Sequence, residues 1–199
     1  MAFSFFFRDI FILERLAEII SDSTKELKVV KIWDAGCALG QEPYSFAILL
    51  AEKLGYFTFK RVVIYATDVD ETGEFGKTIT NGIYPFQDIS RIPNEIRDKF
   101  FRQISEDKFQ IIDEIRSRVK FQRHDLLSFL PVDADFIAII CKNVLLHFSH
   151  SDRVKVLEMF YKALKTGGYL TVEQTQKIPD ELANKFIQIF SNVSIYQKV

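Results

Sequence analysis

Apolar residues recur at helical spacing near the start of the chain. The recurring positions are Phe7, Ile10, Phe11, Leu13, Leu16, Ile19 and Ile20. A repeat of this i, i+3, i+4 kind places the apolar side chains on one face, so it predicts an amphipathic helix. The polar run at residues 21–25 ends this helix.

Short apolar runs farther along the chain predict buried strands, because polar and glycine-containing segments bound them. The predicted strands cover residues 29–33, 62–66, 136–141, 169–173 and 193–197. Helical patterns between them cover residues 43–54, 71–80, 151–164 and 179–190. This alternation predicts an α/β fold, a doubly wound and mostly parallel sheet with helices on both faces and an antiparallel last strand.

Residues 83–123 break this alternation. A short helix is predicted after Pro93, and residues 109–112 are predicted to pair with residues 119–122 in a hairpin. We therefore expect a small inserted β-subdomain at the carboxyl edge of the sheet, within one domain that covers residues 1–199.

The composition is that of an ordinary globular protein, with 48% hydrophobic and 27% charged residues. A formal net charge of −1 and the lack of a lysine or arginine run argue against a nucleic-acid partner bound through its phosphates. No stretch reaches the roughly 18 apolar residues of a membrane span. Arg8, Asp9 and Glu14 also interrupt the phenylalanine-rich start before a signal-peptide core could form. We expect no membrane insertion.

The two cysteines, Cys37 and Cys141, are far apart and lack the spacing of metal ligands. The sequence therefore predicts no metal site. Unpaired cysteines of this kind are typical of small buried side chains in the reducing cytoplasm, which is the compartment we expect.

Two of the predicted strands end in residues suited to a ligand, and ligands of open α/β sheets bind beyond the carboxyl ends of the strands. After the first strand, Gly36 and Gly40 allow the backbone to approach a ligand closely. The spacing is not G-x-G-x-x-G and no Gly-Lys-Ser/Thr follows, so a phosphate cradle is not predicted. Glu42 stands there instead, and its carboxylate repels pyrophosphate and favours an ammonium or sulfonium group.

Asp68 ends the second strand and offers an acceptor to ribose hydroxyls. S-adenosylmethionine has these groups and no phosphate.

Five segments of the chain resemble, in the same order, those of the CheR-type chemotaxis-receptor protein-glutamate methyltransferases. Residues 4–8 (S-F-F-F-R) resemble the family's T-x-F-F-R, and residues 33–45 (W-D-A-G-C-A-L-G-Q-E-P-Y-S) resemble its W-S-A-G-C-S-T-G-[EQ]-E-P-Y-S. Residues 66–70 (A-T-D-V-D) match A-T-D-I-D and are followed by the family's G-x-Y at residues 82–84. The other two segments are residues 124–127 (H-D-L-L), where the family has N-L-L, and residues 141–148 (C-K-N-V-L-L-H-F), which resemble C-R-N-V-L-I-Y-F.

This resemblance implies a Rossmann-like class I methyltransferase fold, with S-adenosylmethionine as cofactor and S-adenosylhomocysteine as product. The site residues that it implies, with the glycine turn, are Ser4, Arg8, Gly36, Glu42, Asp68, Asp125, Leu126, Lys142, Asn143 and His147. Glu42 would hold the methionine amino group and Asp68 the ribose. Asp125 and Leu126 would frame the adenine, while Lys142 and Asn143 would line the floor of the site.

The resemblance places three residues beside the chemistry. Ser4 and Arg8 would face the ligand from the N-terminal segment, and His147 stands where the family has a tyrosine next to the transferring methyl group. Without the resemblance, Arg8 would be interpreted as a solvated helix residue and His147 as a packed or hydrogen-bonded ring. Arg8 and His147 are therefore the predicted catalytic residues.

The chain departs from the family at several places. Lys142 replaces an arginine, Asp125 an asparagine and His147 a tyrosine, and residues 172–175 (V-E-Q-T) stand where the family has a G-H-S-E-like segment. The family's helical N-terminal domain is expected to have no counterpart, because Met1 almost abuts the first segment. These departures leave the predicted cofactor site intact and leave the methyl acceptor open.

The function implied is esterification of glutamate side chains in the cytoplasmic domain of a chemoreceptor or in a related signalling protein. A carboxylate is already ionised at neutral pH, so this reaction needs no general base. It needs alignment and exclusion of water, and Arg8 is suited to orient the carboxylate as a two-pronged donor. Two alternatives stay open: methylation of another protein or a small molecule, and a non-catalytic S-adenosylmethionine-binding module that regulates a partner.

Overall fold

The computed structural model describes residues 4–24 and 27–199, so Lys25, at the predicted end of the first helix, lies outside the described residues. The helices, in chain order, are α1 (Ile10–Ser23), α2 (Gln41–Phe59), α3 (Glu74–Asn81), α4 (Phe86–Ile89), α5 (Asn94–Phe100), α6 (Asp113–Arg116) and α7 (His150–Ala163). The strands are β1 (Val30–Ala35), β2 (Val62–Asp68), β3 (Ile83–Pro85), β4 (Phe101–Ser105), β5 (Lys108–Ile111), β6 (Val119–Arg123), β7 (Phe136–Cys141), β8 (Leu164–Val172), β9 (Phe186–Gln188) and β10 (Ile195–Lys198).

The main sheet has the strand order β6-β2-β1-β7-β8-β10-β9. The first five of these strands run parallel, and β10 runs antiparallel to both β8 and β9. The predicted doubly wound sheet with an antiparallel last strand is therefore confirmed. The chain moves outward from β1 to β2 and β6 on one side, and from β7 to β8 on the other. The carboxyl ends of β1 and β7 thus meet where the strand order reverses, which is the usual ligand position in such sheets.

Alternating side chains of the central strands fill two hydrophobic cores, one on each face of the sheet. Ile32 of β1 belongs to the core shared with α1 and α2, whereas its neighbour Trp33 belongs to the core shared with α7. All residues of β7 are buried, as a strand covered on both faces requires. Because side chains pack on both of its faces, β7 and the residues at its carboxyl end are held in a defined position.

The predicted hairpin between residues 109–112 and 119–122 is wrong. Strand β5 pairs with β3 and β4 in a separate three-stranded antiparallel sheet, whereas β6 pairs in parallel with β2 at the edge of the main sheet. The predicted subdomain of residues 83–123 therefore includes one main-sheet strand at its end. The alternation of Val119 and Phe121 suits either sheet, and only the contact with β2 decides between them.

The predicted helix at residues 179–190 is also wrong. The segment forms a 3-10 turn at Asp180–Leu182 and then β9, which pairs with β10. Leu182 and Phe186 are buried four residues apart, which is helical spacing, but Ile187 is exposed. Pairing of the backbone along the edge of β10 outweighs the helical pattern.

Within residues 4–24 and 27–199, no helix combines the length and the apolar character that crossing a bilayer requires.

Candidate functional site

A cleft of about 450 Å³, called the first cleft below, opens where the carboxyl ends of β1 and β7 meet. The N-terminal segment, the turn from β1 into α2, the end of β2 and the loop after β7 line it. It brings together eight of the ten predicted site residues: Ser4, Arg8, Gly36, Glu42, Asp68, Lys142, Asn143 and His147. Asp125 and Leu126 are not part of this lining.

The turn after β1 is built to pass close to the loop after β7. Gly36 has a φ of 90°, and a Cβ atom placed on it would meet Val144 Cγ2 at 2.2 Å. Ala38 also adopts a left-handed backbone, with a φ of 48°. Its N–H donates to Asp68 Oδ2 at 2.9 Å, so the carboxylate predicted to bind ribose also holds this turn in shape.

A buried lysine lies between two acidic residues at the wall of the first cleft. The Lys142 side chain is fully buried, and its Nζ lies 3.0 Å from Glu42 Oε2 and 3.0 Å from Asp9 Oδ2. Burial opposes the charge of Lys142, but the carboxylates of Glu42 and Asp9 outweigh it and raise the pKa of the lysine. The ion pairs join the N-terminal segment, the first turn of α2 and the loop after β7.

Asp34 is a further acidic group below this cluster. Its side chain is fully buried in β1, and both carboxylate oxygens lack a hydrogen-bond partner within the described residues. Burial raises the pKa of Asp34 well above its usual range, and the negative charge of Glu42 raises it further, although Lys142 acts in the opposite direction. Sequence reasoning did not single out Asp34. Strand β1 also carries Lys31, so the charge of Asp34 gave no distinct signal in the sequence.

The N-terminal segment crosses the first cleft and is fixed on both sides. The ring of Phe6 packs edge-on against Tyr84, with 4.9 Å between the ring centroids. The N–H of Phe7 donates to Ser45 Oγ of α2 at 2.8 Å. Arg8 then reaches the loop after β7, where its Nη2 donates to Asn143 Oδ1 at 3.1 Å.

Asn143 is itself held by a residue that the sequence did not predict. It has a left-handed backbone with a φ of 59°, and its N–H donates to Glu173 Oε2 at 3.2 Å. Glu173 is buried just beyond the end of β8, and its Oε1 has no hydrogen-bond partner in the described part of the chain. A continuous contact therefore runs from Glu173 through Asn143 to Arg8.

His147 lies in the 3-10 turn Leu145–His147 and lines the first cleft as an exposed side chain. Asp125 and Leu126 lie beyond the end of β6, one strand outward from Asp68. Asp125 Oδ1 accepts the N–H of Leu127 at 2.8 Å, and Leu126 is buried in the same core as Trp33. Their role beside an adenine ring therefore stays a prediction.

Comparison with protein families matches residues 2–195 to the model described as the CheR methyltransferase, SAM binding domain, where SAM is S-adenosylmethionine. The chain is 30% identical over 180 residues to chemotaxis protein methyltransferase 2 of Vibrio cholerae, covering 88% of the chain and 62% of that protein. It is 32% identical over 170 residues to the chemotaxis protein methyltransferase of Borreliella burgdorferi, covering 84% of the chain and 58% of that protein. The chain thus spans about six-tenths of the length of these relatives.

Solved structures share the fold at low sequence identity. A TehB-like SAM-dependent methyltransferase from Corynebacterium glutamicum aligns with a TM-score of 0.52 at 14% identity, over 94% of this chain and 87% of that one. A methyltransferase from Geobacter sulfurreducens aligns with a TM-score of 0.53 at 13% identity, over 94% of this chain and 77% of that one. These alignments confirm the Rossmann-like methyltransferase fold.

Proposed function

This chain belongs to the CheR methyltransferase family, whose SAM-binding domain model it matches, and we propose that it transfers methyl groups to glutamate side chains of a chemoreceptor's cytoplasmic domain or of a related signalling protein. The observation that carries the proposal is the first cleft, which gathers residues of four of the five family segments around one opening. The names of the relatives, chemotaxis protein methyltransferases, support this choice of acceptor. Such an acceptor domain places the reaction in the cytoplasm.

The chemistry of the first cleft fits S-adenosylmethionine. Glu42 lines the cleft and keeps 12% of its side chain exposed, which suits an ammonium group of the ligand. Asp68 offers a carboxylate to ribose hydroxyls, and the turn at Gly36 lines the same cleft, held close to the loop after β7 because Val144 packs where a Cβ atom would stand. When bound, the cofactor supplies a methyl group on a positively charged sulfur, which a nucleophile displaces in line.

The protein's own task is to hold the acceptor carboxylate and to exclude water. Arg8 supports the first role, because a guanidinium pairs with a carboxylate through two parallel hydrogen bonds. Asn143 restrains Arg8 by its hydrogen bond, and Phe6 anchors the segment that carries Arg8. His147 lines the first cleft at the position where the family has tyrosine, and a carboxylate acceptor requires no proton transfer to it.

The proposal is tested by transfer of radiolabelled methyl groups from S-adenosylmethionine to purified cytoplasmic fragments of chemoreceptors. We expect label in the fragment and its release as methanol by mild base, because glutamate methyl esters are base-labile. A matched fragment in which the accepting glutamates are alanine should stay unlabelled. Label that resists base, or cofactor binding without any transfer, would contradict the proposal.

A further inference from the structure

A second cleft, of about 470 Å³, opens at the same carboxyl edge of the main sheet. The start of α7, the end of β8 and residues 176–181 line it. The turn Leu145–His147 separates the two clefts, since Leu145 lines the second whereas Leu146 and His147 line the first. A polypeptide that presents a side chain to the first cleft can therefore reach the second with a neighbouring side chain.

The second cleft combines an apolar floor with a guanidinium group. Leu145, Leu157 and Val172 are buried and form the floor. Arg153, at the start of α7, donates from Nη1 to Gln176 Oε1 at 3.0 Å. Its Nε is buried without a hydrogen-bond partner, and no carboxylate of residues 4–24 or 27–199 lies within ion-pair distance of it. A guanidinium keeps its charge at any physiological pH, so this site offers unused donors to an anion.

The nearby acidic residues do not neutralise the positive charge of Arg153. Glu181 is paired with His150, whose Nε2 lies 2.8 Å from Glu181 Oε1, and this hydrogen bond lowers the pKa of Glu181. Lys177 adds a second cation to the lining, against the carboxylate of Asp180. The second cleft is thus suited to an acidic side chain with an aliphatic stem.

We propose that the second cleft binds the side-chain carboxylate of a glutamate in the acceptor protein that lies close to the methylated residue. The methylene stem of this glutamate packs on the apolar floor, and its carboxylate pairs with Arg153 in place of Gln176. The inference rests on the proposed function, because it takes the acceptor to be a polypeptide. It makes Arg153 a specificity determinant for acidic acceptor segments.

Binding without turnover gives the direct test. A dye-labelled cytoplasmic fragment of a chemoreceptor is titrated with the protein in the presence of S-adenosylhomocysteine, and the fluorescence anisotropy gives Kd. Arg153→Gln should raise Kd by about tenfold, the effect of losing a hydrogen bond to a charged group. Arg153→Lys should recover part of the loss. Lys162→Gln, which removes an exposed charge from the last turn of the same helix, should change Kd less than about twofold.

A second fragment tests the identity of the bound group. In it, the glutamates that flank the methylated residue are changed to glutamine. Arg153→Gln should then raise Kd less than about twofold, because the two substitutions remove the same interaction. Equal losses on both fragments, an unchanged Kd, or no binding of the first fragment by the wild-type protein would overturn the inference.

Methyl transfer to the first fragment, measured in parallel, separates the two proposals. A fragment that binds through Arg153 and receives no base-labile methyl group would leave the second cleft standing and refute the proposed function. A fragment that is methylated equally well by wild type and Arg153→Gln at limiting concentration would refute the inference about the second cleft and leave the proposed function standing.

Discussion

Lys142 and Glu42 form an ion pair inside the first cleft, with Nζ and Oε2 3.0 Å apart and the lysine side chain fully buried. The pair joins residues 100 positions apart in the chain. Asp9 adds a second carboxylate to the same Nζ atom. The lysine therefore fixes the N-terminal segment to the body of the protein beside the first cleft.

Lys142→Met should lower the free energy of unfolding by about 3 kcal/mol, because removing one partner of a buried pair leaves Glu42 with an uncompensated charge. The figure is at the lower end of the range for buried pairs, since the Asp9 side chain is 45% exposed. Urea unfolding measures the loss. Lys99→Met, which breaks the exposed pair with Glu52, should cost less than about 1 kcal/mol. Equal losses in the two variants would contradict a buried, structural role for Lys142.

The raised pKa of Asp34 predicts how the free energy of unfolding depends on pH. Its pKa is raised in the folded protein, so the folded state holds a proton that the unfolded chain releases above about pH 4. The free energy of unfolding therefore falls as the pH rises from about 4 towards the folded pKa, by at most about 1.4 kcal/mol per pH unit. Asp34→Asn removes this dependence, so its advantage over wild type should be small near pH 4 and should grow towards pH 8.

Urea unfolding of both proteins across this range checks the prediction. Asp22→Asn, which changes an exposed carboxyl near the end of α1, is the matched control and should run parallel to wild type. A stability difference between Asp34→Asn and wild type that does not change with pH would show that Asp34 is ionised in the folded protein.

Asp68 holds the turn at Ala38, and we propose that it also binds ribose; different substitutions separate these two roles. Asp68→Ala should weaken S-adenosylmethionine binding by about 1–3 kcal/mol, as expected for a lost charged acceptor. It should also destabilise the turn, because the N–H of Ala38 loses its partner. Asp68→Asn keeps an oxygen acceptor for Ala38 and should therefore restore most of the stability while ligand affinity stays reduced. Calorimetry gives the affinity and thermal unfolding the stability. Full recovery of affinity in Asp68→Asn would rule out a contribution from the carboxylate charge.

Three residues that line the first cleft could be predicted because they sit at strand ends, which follow from local patterns, whereas the others were named through the family resemblance. Gly36, Glu42 and Asp68 lie next to strongly apolar runs, so their common edge could be predicted from the alternation alone. Which strand a short segment pairs with depends on residues that are far away in the sequence. The segment at residues 119–122 fits two sheets equally well, and its place follows from pairing with β2.

The roles of the buried acidic residues could not be predicted for a similar reason. Asp9 and Asp34 look like ordinary polar positions in the sequence. Asp9 matters through Lys142, which is more than a hundred residues away in the chain and which folding brings beside it, whereas Asp34 matters through its burial in β1. Glu173 likewise matters through its contact with the backbone of Asn143, in a segment where the chain departs from its family.

Arg8 should affect methyl transfer more than cofactor affinity, because we assign it to the acceptor carboxylate. Arg8→Ala should lower kcat/KM for a receptor fragment by about 10- to 100-fold, the range for a hydrogen bond to a charged group, with a Kd for S-adenosylmethionine within about threefold of wild type. Glu173→Ala should show a weaker form of the same defect, since it releases Asn143, and Glu173→Gln should restore activity by keeping an acceptor for the Asn143 N–H. Arg15→Ala, in the exposed pair with Glu18, serves as control. Equal losses of affinity and transfer in Arg8→Ala would make Arg8 a cofactor contact.

His147 distinguishes a carboxylate acceptor from a hydroxyl or amine acceptor. It is an exposed side chain on the wall of the first cleft, in the turn that follows β7. If the acceptor is glutamate, the nucleophile is ionised throughout, and the rate of methyl transfer should be nearly constant above about pH 6. A histidine that removes a proton from the acceptor would instead make the rate rise with pH over the same range. We expect the constant profile.

His147→Tyr places the family's residue at this position and should preserve transfer to a receptor fragment, because alignment and not proton removal is required. Rates from pH 5.5 to 9 for both proteins, with cofactor affinity measured alongside, decide the matter. A His147→Tyr variant that binds S-adenosylmethionine normally but no longer methylates a fragment accepted by the wild type would establish His147 as a general base and move the acceptor away from glutamate.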